Sequence, residues 1–196
     1  DASANVWTAR ADFPGGMRVG GVGFSIAGKG YMGLGGDSTG IYYNDLWEYD
    51  PSSNGWLQKA NFPGTPRSYP IGIGCMSRGY VGTGINSSTL YGDWKEFDPV
   101  TNTWAPLFGF QGGVRYHMTG FAIGCAIYVG TGHSGATTAS SVYWSDWWEF
   151  VPGAVSPFAS ITTSSGMTGI CPGGSITLTA HGGVSYLWNT GATTSS

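Results

Sequence analysis

Asn44-Asp45-Leu46-Trp47-Glu48-Tyr49-Asp50-Pro51 is a stretch that the chain writes three times. Asp93-Trp94-Lys95-Glu96-Phe97-Asp98-Pro99 is the second copy, and Asp146-Trp147-Trp148-Glu149-Phe150-Val151-Pro152 is the third. Each copy alternates with period two, Leu46, Glu48 and Asp50 on one face and Trp47 and Tyr49 on the other. Pro stops it, so each predicts a short strand. In the first two copies the stop is an Asp-Pro turn start, followed by Ser52-Ser53-Asn54-Gly55 and Val100-Thr101-Asn102-Thr103. Trp56 and Trp104 then open a further strand, which makes a hairpin.

Outward from this stretch, other positions recur in register. Trp7, Trp56 and Trp104 are spaced by 49 and 48 residues, as are Arg18, Arg67 and Arg115, and Tyr31, Tyr80 and Tyr128. Between the Trp and the Arg lies a turn: Phe13-Pro14-Gly15, Phe62-Pro63-Gly64, or Phe108-Gly109-Phe110. After the Arg come two strand-like runs, residues 22–27 and 31–34 in the first unit, around an expected tight turn Gly28-Lys29-Gly30. The second run ends on glycines, Gly35-Gly36, then Gly82-Thr83-Gly84, then Gly130-Thr131-Gly132. Glycine there lets backbone approach backbone or supplies a positive φ at a bend.

Four strands in about 50 residues, with glycines after the second and Trp in the fourth, resemble the kelch repeat of β-propellers. The resemblance covers residues 6–152 and implies an all-β fold of three four-stranded blades, at about 7–55, 56–103 and 104–152. Trp47, Trp94 and Trp147 are expected to mark one structural position of the third strand. The family implies antiparallel blades packed around an axis, with the first strand innermost and the Trp strand outermost. Propellers close with about four to eight blades. Three blades therefore imply a partial propeller, completed by further chain or by a second copy. The order begins with a Trp7 strand and ends at Phe150 without one, so in a closed ring the Trp7 strand would complete the unit ending at Phe150.

Residues 153–160 are small and linker-like, and the composition changes beyond them. Ser175-Ile176-Thr177-Leu178-Thr179-Ala180 alternates as a half-buried strand, and Tyr186-Leu187-Trp188 is expected as its neighbour across Gly182-Gly183. With Cys171-Pro172-Gly173-Gly174, residues 161–196 resemble the opening strands of the Ig-like or PKD-like modules of secreted bacterial surface proteins. Such a sandwich takes about 100 residues, so the module is expected to be incomplete or to borrow strands from a neighbour. The combination is similar to proteins exported by type IX secretion, which implies a secreted or cell-surface location. In that family a later cysteine partners the one matching Cys171, and this chain has none.

Composition excludes several functions. Charged residues are 10% of the chain, the net charge is −3, and no basic run appears, which argues against nucleic acid. No apolar run approaches the roughly 20 residues of a membrane-crossing helix. Asp1 opens almost directly on the first repeat with no signal-peptide pattern, as a processed chain would. Of the three cysteines, Cys75 and Cys125 occupy the same region of neighbouring repeats. A bridge between them and a pair of small buried thiols are both open readings.

The residues of chemical interest divide into repeated and divergent ones. Arg18, Arg67 and Arg115 either converge on an anionic ligand or serve as one structural tie per unit, and recurrence favours the tie. Glu48, Glu96 and Glu149 recur likewise and are no pair of unlike carboxylates. His117 and His133 are expected at opposite ends of neighbouring strands, with His181 in the tail, so no copper or other metal site is expected. The glycine runs precede strands and no helix follows them, so no phosphate loop is expected either. Gly23-Phe24-Ser25-Ile26-Ala27-Gly28 misses the nucleophile-elbow spacing. No catalytic residue and no cofactor is assigned.

The loops at 37–44, 85–92 and 133–145 differ between copies and carry Tyr42, Tyr43, Tyr91, Tyr143 and Trp144. Such aromatics suit sugar stacking or protein contact, or else fold back as a cap. The expected function is an extracellular, non-enzymatic binding, adhesion or assembly module. Its partner would be a protein, including another copy of itself in a homo-oligomer, or a surface glycan. The alternatives are the protomer of a surface filament or lattice, and part of a carbohydrate-active propeller enzyme.

Overall fold

In a computed structural model of the chain, residues 5–124, 126–135 and 141–153 are described in full, with the backbone alone at 161–163 and 178–180. The fold is all-β, and its sheets are small, antiparallel and not closed into a barrel. The first sheet runs β1 (Val22–Ile26), β2 (Lys29–Gly33), β3 (Leu46–Asp50), β4 (Gly55–Lys59) in spatial order. In the second, β5 (Ile71–Cys75) and β6 (Arg78–Gly82) are followed by a small hairpin, β7 (Ile85–Asn86) and β8 (Thr89–Leu90). The sheet then continues with β9 (Trp94–Asp98) and β10 (Thr103–Leu107). The third repeats the plan with β11 (Thr119–Ile123), β12 (Ala126–Gly130), the hairpin β13 (His133–Ser134) and β14 (Val142–Tyr143), and β15 (Trp147–Phe150). This sheet has three strands, with β15 at its edge.

Local backbone chemistry explains the turns. Ala27 and Gly28 (φ 48° and 80°) and Met76 and Ser77 (φ 49° and 63°) are two-residue connections with both residues left-handed. That conformation matches the twist of the strands it joins. Lys29 and Gly30 therefore lie in β2, and the turn expected at 28–30 is one residue shorter and earlier. Leu34, Thr83 and Thr131 (φ 51°, 60°, 59°) precede Gly35, Gly84 and Gly132 (φ 92°, 100°, 86°). The corresponding triplets are thus Gly33-Leu34-Gly35, Gly82-Thr83-Gly84 and Gly130-Thr131-Gly132, and Gly36 falls at the position of Ile85 and His133. The leading glycines are needed for close approach. A Cβ on Gly33 would meet the Asp45 carbonyl, on Gly82 the Trp94 ring, and on Gly130 the Trp147 ring.

A second register also differs from the one expected from residue type. Tyr31 faces Glu48, Tyr80 faces Glu96 and Tyr128 faces Glu149 across the ladders. Leu46, Trp94 and Trp147 are therefore one position, and Trp47, Lys95 and Trp148 the next. Trp47 and Trp148 donate from Nε1 to Asp45 and Asp146 (2.8 and 2.7 Å), while Lys95 Nζ lies 3.9 Å from Asp93. Trp47 is thus one place out of step with Trp94 and Trp147.

The sheets stack in chain order with their first strands, β1, β5 and β11, side by side. Val22, Leu34, Phe62 and Val81 form one cluster between the first two sheets, and Ile26, Tyr31, Leu46 and Phe97 another. Ile71, Ile73, Tyr80, Trp94, Ile127 and Val129 fill the space between the second and third. The second sheet is thereby covered on both faces. Phe121, Ile123 and Trp147, on the far face of the third sheet, are 46%, 63% and 44% exposed.

Residues 5–10, expected as a strand around Trp7, form none among the described residues, and Trp7 is fully exposed. Further along, β16 (Ile161–Thr163) pairs with β17 (Leu178–Ala180). The second of these lies inside the strand expected at 175–180. The expected linker beyond residue 153, the strand at 186–188, Cys125, Cys171 and His181 lie outside the described residues, and with them the bridge considered for Cys75. No helix of the described residues is long and apolar enough to cross a membrane.

Candidate functional site

The three arginines are separate ties and do not converge on an anion. Their side chains are 2%, 1% and 0% exposed. Arg18 Nη1 lies 2.5 Å from Asp45 Oδ1 and donates to the Leu34 carbonyl at 3.1 Å. Arg67 repeats this on Asp93 (2.5 Å) and Thr83 (3.1 Å), and Arg115 on Asp146 (2.6 Å) and Thr131 (3.1 Å). Each guanidinium also donates to the loop before it, at Gly15, Thr65 or Gly112. One side chain thus fastens the entry loop, the end of the second strand and the start of the third. Arg suits the task because its planar fork presents several donors at once.

The same geometry decides three of the loop aromatics. Tyr43, Tyr91 and Trp144 lie over Arg18, Arg67 and Arg115, 4.1, 3.9 and 4.2 Å from guanidinium carbon to ring centre. Phe13, Phe62 and Phe110 cover the other side at 4.9, 5.1 and 5.0 Å. These rings complete a repeated stack around a buried cation. Tyr42 is half-buried, and its hydroxyl accepts from the Ser87 amide at 3.0 Å.

The glutamates are satisfied as well, by partners other than these arginines. Glu48 accepts from Tyr31 (2.6 Å) and lies 3.1 and 3.4 Å from Lys29 and Lys59. Burial alone would raise its pKa, but the Tyr31 and Lys29 hydrogen bonds and the two lysine charges outweigh it and hold the carboxyl below its ordinary value. The same neighbourhood pushes the Tyr31 hydroxyl up, burial first and then the Glu48 hydrogen bond. Glu96 pairs with Arg78 at 3.5 Å and Glu149 accepts from Tyr128 at 2.8 Å.

Once these repeated ties are accounted for, one group of side chains stands apart. His117 and His133, expected at different heights, are brought together, with Nδ1 and Nε2 3.2 Å apart. Tyr69 packs edge-on against His117 at 4.1 Å, Tyr116 lies 4.7 and 4.2 Å from the two imidazoles, and Tyr143 stacks on His133 at 5.0 Å. The backbone explains the convergence. Gly20, Tyr69 and His117 occupy one position, two residues after each Arg, and all are left-handed (φ 64°, 56°, 56°). A side chain at Gly20 would meet the Tyr69 ring, and Tyr69 in turn meets His117. Antiparallel bridging of Tyr116 to His133, and of β13 to β14, carries His133 and Tyr143 to the same place.

The histidine contact requires one ring to donate and the other to accept, so the pair does not hold two full charges. Partial burial, and then the neighbouring His133, lower the His117 pKa below its ordinary value. Among the described residues His133 Nδ1 is buried without a partner, while Tyr143 is 66% exposed. Among the described residues no third His, Cys, Asp or Glu joins the two imidazoles. The group therefore offers flat apolar faces edged by polar atoms. Tyr69 and Tyr116 were not singled out in the sequence, although the sequence holds a signal for Tyr69: Gly, Tyr and His alternate at one register position. No protein-family model matches the chain, and no curated protein matches it in sequence.

Proposed function

We propose that the three sheets are kelch-type propeller blades and that the chain is an extracellular, non-enzymatic binding and adhesion module. Its ligand is a surface glycan, held on the rings around His133. The observation that carries this reading is the division of labour among the aromatics. Tyr43, Tyr91 and Trp144 serve the buried arginines in all three units, whereas Tyr69, Tyr116, His117, His133 and Tyr143 gather only where the units differ. A residue group that the repeated architecture does not explain is the place where function separates from scaffold. Flat rings with polar edges suit a sugar face, since they present large contact area at low entropic loss.

The test is a titration of the chain with chitin-, cellulose- and mannan-derived hexasaccharides, followed by calorimetry and by side-chain NMR. Saturable binding that Tyr143→Ala weakens roughly tenfold, without loss of stability, is the expected result. Binding indifferent to Tyr143, or turnover of any of these glycosides, contradicts the reading.

A further inference from the structure

We infer that the open face and edge of the third sheet are a docking site for a second copy of this chain, which inserts residues 5–11 beside β15 and seats its first sheet on Phe121. This rests on reading the three sheets as copies of one unit, but not on the ligand proposed above. Each half of the contact is already present inside the molecule, occupied twice and, among the described residues, empty once.

The edge comes first. Trp56 in β4 lies 5.2 Å from Phe13 and 5.0 Å from Tyr49, and donates to the Ala11 carbonyl at 3.1 Å. Trp104 in β10 does the same with Phe62 (5.3 Å), Phe97 (5.0 Å) and the Ala60 carbonyl (2.9 Å). On the third sheet the corresponding Phe110, Phe150 and Phe108 line an apolar groove of about 360 Å³, and no fourth strand lies beside β15 among the described residues. Trp7 is the register partner of Trp56 and Trp104 and is fully exposed. Its segment is anchored as β4 is. The Ala11 amide donates to Asn54 (3.0 Å), as the Ala60 amide does to Asn102 (2.8 Å). An edge strand with its ladder groups unpaired is a template for such a segment.

Charge agrees. Lys59, three residues after Trp56, pairs with Glu48 at 3.4 Å. The residue three after Trp7 is Arg10, which is exposed, and Glu149 stands where Glu48 does. The first two sheets carry Lys29 and Arg78 beside their glutamates, but the third has Ala126 at that position. Among the described residues Glu149 has no cationic partner, and Arg10 would supply one.

The face agrees independently. Phe24 lies over Gly72 and Gly79 of the second sheet, where any Cβ would collide with the neighbouring sheet. Ile73, at the position of Phe24, lies over Gly120 in the same way. Phe121 is the third member of this series, and among the described residues no sheet lies over it. At Gly23 and Gly30, the first sheet's equivalents of Gly72 and Gly79, a Cβ would meet only Tyr31 and Tyr49 of the same sheet among the described residues. The unused knob on one copy fits the unused seat on the next. The contact is heterologous, so it closes when two copies satisfy each other and extends when they do not.

The test uses the 196-residue chain and measures mass by sedimentation over a concentration series. The expected result is a species of at least twice 20.5 kDa, weakened roughly thirtyfold by Trp7→Ala. Arg10→Glu alone and Glu149→Arg alone should each weaken it roughly tenfold or more by setting like charges together. An equimolar mixture of these two variants should recover the wild-type assembly, because every contact between unlike chains again joins opposite charges. Recovery also shows that both variants fold. A wild-type chain that stays monomeric, variants that assemble as the wild type does, or a mixture that fails to recover would each overturn the inference. Glycan binding at Tyr143 is read separately, so either proposal can fail alone.

Discussion

The second and third sheets are written with nearly the same positions, yet one is an interior and the other a surface. Tyr80 and Phe97 are 1% and 0% exposed, whereas Phe150, in register with Phe97, is 39% exposed. Tyr80 reaches Glu96 inside a covered sheet, and Tyr128 reaches Glu149 in the open. Position within a repeat therefore does not fix burial; the presence of a neighbour does. In stacked repeats, stability is a sum of each unit and its interfaces, and among the described residues the third sheet has one interface and one strand fewer than the second.

The largest effect that can sharpen this contrast is in the core. Phe97→Ala should destabilise the chain by about 4 kcal/mol, because it removes a fully enclosed ring. Phe150→Ala, measured at dilution, should cost under about 1 kcal/mol by comparison. Equal losses in chemical denaturation would erase the distinction drawn between the sheets.

Next are the ties. Arg67→Ala should cost about 3 kcal/mol, since it breaks a buried pair and leaves Asp93 and the Thr83 carbonyl without their donor. Arg67→Lys should recover only part of this, because an ammonium cannot span the same acceptors. Full recovery in thermal melts would mean that charge alone matters there.

Smaller effects lie in pH. The folded Glu48 carboxyl binds its proton less readily than an unfolded one, so the unfolded chain takes up the proton first as acid is added. The stabilisation is whole above the ordinary value of 4.5 and fades as pH falls through the lower folded value. Glu48→Gln should flatten that part of the stability profile, and an unchanged acid limb would remove Glu48 from the account. His117, also depressed, contributes above its ordinary value of 6.5 and loses that contribution as pH falls through the folded value. Its NMR titration should therefore have a midpoint below 6.5, and His133→Ala should move it upward.

Much of this architecture was legible in the sequence because it repeats. The Trp, Arg and Tyr spacings separate three units, and the Asp-Pro stops place the turns after β3 and β9. What was not legible depends on backbone conformation and on partners. Ala27-Gly28 and Met76-Ser77 are left-handed pairs without the usual Asn-Gly signal, so the sequence points to a later turn at Gly28-Lys29-Gly30. Trp47 and Trp94 look equivalent by residue type, and the ladder that sets Tyr31 opposite Glu48 and Tyr80 opposite Glu96 shows them one place apart. The histidines were separated by reading strand ends along the chain, whereas the bridge from Tyr116 to His133 folds those ends together. For Tyr43, Tyr91 and Trp144 the sequence leaves outward-facing rings and a folded-back cap both open, because the buried arginine beneath each is distant along the chain.

If the third sheet's edge and the Trp7 segment are two halves of one contact, amide hydrogen exchange across a concentration series will show it. Residues 6–10 and 147–150 should gain protection together as concentration rises, while β6 and β9 stay protected throughout. Exchange at both segments that remains fast at every concentration, or protection at one without the other, would contradict it.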